Sequence, residues 1–391
     1  MTTTLIEGGT LIEPATGTSA LGDVLIRDGV VAGLGAVNGS AVDERFDASG
    51  MYVSPGWIDG HSRGWSGNRS APDSSTRAVR AGENLRADRF GVHQGVVAIV
   101  EAGSMGAPTA DDFPAGMIEG ASTRVFGAIN IGSSGAPGIE GGHSSRWEYV
   151  SLEKTVAAVE RHRDWVRGIK VQASSSHTGL LGLEAVKIAR KAAELTGLPL
   201  MAHIGNAPPL LEDVLDLLRR GDIVTHTYHG KTGGILERDG TPIRAFLDAI
   251  DRGVVVATSH GRASYSFDVA DHAVRELGMP LDVISTDMHP GNIEHYSRSI
   301  AHNLTKSLML DLSIEQVIQA VTINPARAWR LDADGFGSLA VGRPAHVTVF
   351  RINEEPLEVV DTLDQERTAA RWVEPIAAWI DGQRFDRTAP I

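Results

Sequence analysis

Residues 53–63 run Val-Ser-Pro-Gly-Trp-Ile-Asp-Gly-His-Ser-Arg. An apolar run finishing in Asp59, His61 and Arg63 predicts a buried strand whose carboxyl end carries an imidazole to the mouth of a barrel. Working outward, residues 55–334 alternate β-like apolar runs with helical periods. The candidate strands are Val53–Asp59, Val96–Glu101, Val125–Asn130, Gly168–Val171, Pro199–His203, Ile223–His226, Val254–Thr258 and Val283–Asp287. Amphipathic stretches lie between them, such as Leu152–Trp165, Leu183–Leu195, Pro209–Arg219 and Ile243–Ile250. Eight such units match the size of a (β/α)8 TIM barrel. An open doubly wound sheet is the rival. The barrel is preferred because polar, chemically active residues finish so many strands.

The two ends of the chain read differently. Thr4–Ile6, Thr10–Ile12, Asp23–Ile26 and Val30–Leu34 are short strands separated by turns at Glu7-Gly8-Gly9 and Arg27-Asp28-Gly29. Gly342–Phe350 and Trp379–Arg384, the latter around Asp381-Gly382, behave alike. The expectation is a small composite β-sandwich from residues 1–54 and 335–391, flanking a barrel at 55–334.

Composition excludes several classes. A net charge of −13 with no basic run argues against nucleic acid as a partner. The absence of cysteine rules out disulfides and thiolate metal sites. No apolar stretch reaches membrane-spanning length, and the first residues lack the charged and apolar regions of a signal peptide. A cytoplasmic enzyme acting on a small molecule is expected, with a homo-oligomer left open.

The strand ends carry the chemistry: His61 and Arg63, Glu101, Asn130, Lys170, His203, His226, Ser259-His260 and Asp287. A lone histidine at a strand end is more often a hydrogen-bonded structural residue than a ligand. Asp287, in Ile-Ser-Thr-Asp, could simply cap a helix. Lys170 is harder to dismiss, because a lysine in a buried strand is costly unless paired or modified. The ordered set carries more weight than any member.

That set resembles the amidohydrolase superfamily over nearly the whole chain. The phrases Gly168-Ile-Lys-Val, Leu200-Met-Ala-His-Ile-Gly-Asn-Ala-Pro-Pro, Val224-Thr-His-Thr-Tyr-His-Gly-Lys, Ser259-His-Gly-Arg-Ala-Ser-Tyr-Ser-Phe and Ile284-Ser-Thr-Asp look closest to dihydroorotase-like members and to N-acyl amino acid or acyl-ester deacylases. The resemblance implies that Lys170 is carboxylated and bridges two divalent ions, zinc first, with manganese or iron as alternatives. It implies that His203 and His226 bind the second ion, that His61 and Asp287 share the first, and that His260 lies near the substrate carbonyl. Imidazole and carboxylate suit zinc and its neighbours.

Arg63 departs from the family's first-strand His-X-His pattern. A guanidinium stays protonated and cannot ligate a metal. At about 4 Å from a monovalent charge, with an effective dielectric near 20, it adds about 4 kcal/mol of repulsion. Three readings follow: a mononuclear hydrolase with Arg63 in the lost first ion's place and the remaining ion at Lys170, His203 and His226, a silent relative serving binding or assembly, or a metal-independent lyase or isomerase using Lys170 as an amine. The retention of His203, His226 and Asp287 favours the first.

The expected reaction is hydrolysis of a carboxamide, cyclic amide or acyl ester by metal-activated water. Asp287 shuttles the proton while Arg63 and His260 orient the substrate. Trp65, Asn130 and His229 are further candidates for substrate contact, with Lys231 beside His229. Trp65 reads equally as a pocket wall or as an aromatic packed on a neighbouring loop. His143, His177, His289 and His295 read as surface or supporting residues. The loop Gly64–Asp73, containing Arg69, and the segment Gly141-Gly-His143 are expected over the site.

Overall fold

Eight parallel strands line up in sequence order as one sheet: β1 (Trp57–Ser62), β2 (Val96–Gly106), β3 (Arg124–Asn130), β4 (Val166–Ala173), β5 (Leu200–Ile204), β6 (Ile223–Thr225), β7 (Val255–Ser259) and β8 (Val283–Ser285). The computed structural model describes residues 2–37, 42–65, 85–135 and 143–388. The sheet curls shut where Ser62 bridges Met288 and the Asp287 amide donates to the His61 carbonyl at 2.7 Å. The result is the expected (β/α)8 barrel.

The chain stays in register because its strands are apolar on the helix-facing side. Ile169 and Val171 flank Lys170 and are fully buried. Alternation then sends Lys170 the other way, into the barrel. Lys170 pairs laterally with Asn130 on one side and Met201 on the other. Outside, Leu183–Thr196 covers the sheet with Ala185, Val186, Ala189, Ala192 and Ala193.

Both termini build a second sheet, in the order Gln383–Asp386, Trp372–Ile380, Val347–Asn353, Tyr52–Pro55, Thr3–Glu13, Thr18–Arg27 and Val30–Gly35, with Glu44–Asp47 paired to Thr3–Glu13. Its two tightest hairpins turn at Asp28-Gly29 and Asp381-Gly382. All four residues have positive φ, the geometry that suits the twist of the flanking strands. Among the described residues, no helix is long and apolar enough to cross a membrane.

Several expected boundaries move. Val53–Asp59 is two strands, because Pro55-Gly56 hands the chain from the terminal sheet to the barrel. Glu7-Gly8-Gly9 is a bulge inside one long strand rather than a turn, with the register shifting between Ile6 and Gly9. The strands expected to end at His226 and Asp287 stop at Thr225 and Ser285. His226 and Asp287 have φ of 67° and 50°, which ends the extended backbone before them.

Candidate active site

The carboxyl ends of the strands bring His61, Lys170, His226 and Asp287 together. Suitable ligand atoms of His61, His226 and Asp287 lie within 4.8 Å of one another. Lys170 Nζ is 3.2 Å from His61 Nε2, and Asp287 Oδ1 is 3.4 Å from the same nitrogen. His203 joins through its ring, whose centroid is 4.4 Å from that of His226. All but the partly exposed His203 are buried.

Local structure sets each imidazole. The His226 Nδ1 hydrogen donates to the Ser259 carbonyl at 2.8 Å. A carbonyl only accepts, so Nε2 keeps the lone pair that a metal ligand needs. His61 Nδ1 lies 3.2 Å from Thr225 Oγ1 and 3.0 Å from Ser259 Oγ. Those two hydroxyls are 2.8 Å apart, so one small network orients both rings. Burial holds His61, His203 and His226 well below the ordinary histidine range, hence neutral.

Asp287 faces three cationic side chains and still has capacity to spare. Burial pushes its carboxyl up, while Arg63, Lys170 and Lys231 oppose that. Arg63 Nε stands 3.3 Å from Oδ1, but out of line, so neither atom makes a hydrogen bond. An orphaned carboxylate oxygen beside two neutral imidazoles fits a divalent cation. Lys170 is lowered to about 7, first by burial and then by Arg63, with Asp287 and Glu101 opposing. Glu101 accepts from the Ser104 and Trp65 amides, and burial raises it to about 7.

The other expected residues separate. His260 is buried, stacked on Tyr265 at 4.1 Å, and neither of its nitrogens finds a partner. His229 accepts from the Lys231 amide at Nδ1 and leaves Nε2 unpartnered. Asn130 is committed to the barrel: its amide donates to Gly103 and Gln172, and its oxygen accepts from Gly132. Trp65 packs edge-on against Phe113 inside the core, at 3% exposure, rather than forming a wall. The rest of its loop, residues 66–84 with Arg69, lies outside the described residues, as do Gly141 and Gly142. His143 and His177 are closer in than expected: their rings are 4.7 Å apart, and His177 is 5.5 Å from His203.

Sequence reasoning missed the supporting residues. Met201 Sδ sits 3.1 Å from Lys170 Nζ. Gly103 leaves the space for that lysine, since a Cβ there would come 2.5 Å from Lys170 Cγ. A weak signal existed for the hydroxyl pair, because Thr225 and Ser259 each directly precede a strand-end histidine.

Known proteins are similar to this chain in sequence and fold. The profile of the Amidohydrolase family matches residues 52–383. A deacetylase of Agrobacterium fabrum is 32% identical over 364 residues, spanning 92% of this chain and 86% of its own. The crystal structure of a dihydroorotase covers 99% of this chain and 100% of its own, with a TM-score of 0.86 and 29% identity. That of an adenine deaminase has the same coverage and identity, with a TM-score of 0.87.

Proposed function

The chain belongs to the amidohydrolase family, and on that premise we propose that it is a metal-dependent hydrolase cleaving the carbon–nitrogen bond of a small acylated or cyclic amide, with one ion held in its barrel. The observation carrying this reading is the convergence of His61, His226 and Asp287, with Asp287 Oδ1 buried and free of hydrogen bonds. These three would hold the ion, in place of the set Lys170, His203 and His226 expected from the sequence for a single ion, with His203 and a carboxylated Lys170 beside them. When bound, zinc or a similar cation polarises a carbonyl and lowers the pKa of water towards about 7.

The remaining work falls to the protein's own groups. Lys170 is neutral in part near neutral pH, the form whose nitrogen can bond to carbon dioxide with loss of a proton. Carboxylation would remove a buried cation and supply two oxygens. Asp287 accepts the proton of the attacking water and returns it to the leaving nitrogen, a role suited to a carboxyl already pushed up by burial. Arg63 favours the charged form of Asp287 against the opposing effect of burial, and offers its remaining N–H groups to a substrate carboxylate. His260 and His229, each with a free nitrogen, orient the acyl group.

The test is Asp287→Asn, assayed against N-acetyl amino acids, a cyclic amide and an acyl ester. Turnover should fall by about 10²–10⁴-fold while circular dichroism is unchanged. Undiminished turnover would remove this mechanism. A preference for the ester would leave the ion site standing and redirect the substrate class.

A further inference from the structure

At the opposite end of the barrel, below the amino ends of β5 and β6, a cavity of about 460 Å³ opens to solvent. Five arginines line it against two carboxylates, in a chain whose net charge is −13. Both carboxylates are spent. Asp222 pairs with Arg190 and also accepts from the Leu200 and Arg219 amides, at 2.8 and 2.7 Å. Glu194 pairs with Arg219 and with Lys191.

Among the described residues, Arg220, Arg327 and Arg330 have no acidic partner. All three are exposed to solvent and line the cavity together. The Arg220 guanidinium lies over Gly253, where a Cβ would come within 3.2 Å of it, and Gly253 takes the positive φ that closes the helix Arg244–Arg252. Arg327 and Arg330 flank the carboxyl end of the helix Ile323–Ala328, and Arg330 is held at φ 59°, a conformation most side chains avoid. The buried Arg190 Nε also lacks an acceptor.

We propose that this cavity is a second ligand site, distinct from the hydrolytic centre, that binds a small polyanion carrying two or more phosphate groups. A guanidinium pairs with phosphate oxygens through two parallel hydrogen bonds, so three unpaired arginines call for more anionic oxygens than one carboxylate supplies. The volume falls within the range of small-molecule pockets. Attraction to this spot also runs against the field of an acidic protein, so the local charge must act at short range.

The experiment is calorimetric titration of the full chain with inorganic pyrophosphate, repeated with ATP. One pyrophosphate should bind per chain, more weakly as salt is raised. Equal affinity for ATP would show that only the phosphates are read, and tighter ATP binding would assign a nucleotide. The R220Q/R327Q/R330Q variant should lose binding while keeping its circular dichroism and its basal turnover. Should that variant misfold, Arg330→Gln alone should weaken binding about tenfold. Absence of binding by the parent chain, or unchanged binding by a folded variant, overturns the proposal. Heat is the readout, so failure here is separable from failure of the hydrolase reading.

Discussion

At the scale of single residues, the proposed single-ion site makes Arg63 the residue that should govern how many ions are held. Its guanidinium stands 3.3 Å from Asp287 Oδ1, beside the place where an ion would sit. Replacing it by histidine removes the charge and restores an imidazole at the second position of the first-strand motif. Arg63→His should raise bound divalent metal from about one towards two per chain, measured by elemental analysis after metal-replete purification. Unchanged content would mean that the arginine does not occupy an ion's place. Much at this scale was legible in the sequence. His61, Lys170, His226 and Asp287 each ended or interrupted an apolar run, and buried charge in such a place demands a reason. Trp65 and Asn130 were not legible, because nothing in a sequence says which way a side chain turns after a strand ends. Trp65 turned into the core, and Asn130 spent its amide on Gly103 and Gln172.

At the scale of elements, the ends of β6 and β8 matter most. His226 and Asp287 sit at positive φ just beyond three-residue strands, so these proposed ligands belong to sharp exits and not to the ladder. The residue-type signal at these exits was weak, since histidine and aspartate are enriched in the left-handed region but are far less diagnostic of it than glycine. Gly103, within β2, is a matching case where glycine is required. It has φ 89° and its missing Cβ makes way for Lys170. Gly103→Ala should cost about 1–3 kcal/mol in denaturant unfolding and should displace Lys170 from His61. A fully stable alanine variant with unchanged metal content would contradict this. A second element-level test concerns Asp88, in the short helix Ala87–Phe90. Burial pushes its carboxyl up, but the Thr123 and Ser122 amides outweigh that and hold it below its ordinary value. A depressed folded pKa stabilises above the unfolded value and is lost as pH falls. Thermal melts of the parent chain and Asp88→Asn should therefore differ at about pH 6 and converge towards about pH 3. A constant difference would reject the link.

At the scale of the whole molecule, the barrel and the terminal sheet are joined through Thr348. Its hydroxyl accepts from the Trp57 amide at 3.1 Å and donates to the Gly95 carbonyl at 2.7 Å. Thr348→Val keeps the shape and strands both buried backbone groups. Unfolding free energy should fall by about 1–3 kcal/mol, with activity per folded molecule unchanged. An undisturbed melting curve would show that the bridge is dispensable. The β/α alternation and the two β-rich ends were readable from hydrophobic period and turn residues alone. The order of strands in the terminal sheet was not, because pairing partners as far apart as Val53 and Val349 leave no local trace.

That long-range pairing has a consequence for how the polypeptide is made. Tyr52–Pro55 is hydrogen-bonded to Thr3–Glu13 on one side and to Val347–Asn353 on the other. A ribosome emits the first two of these early and the third only after the entire barrel has emerged. Throughout that interval the nascent chain carries a bare strand edge, a surface that invites adhesion to other nascent chains. The last fifty or so residues therefore act as a seal, and translation arrested before they appear would release a sticky product.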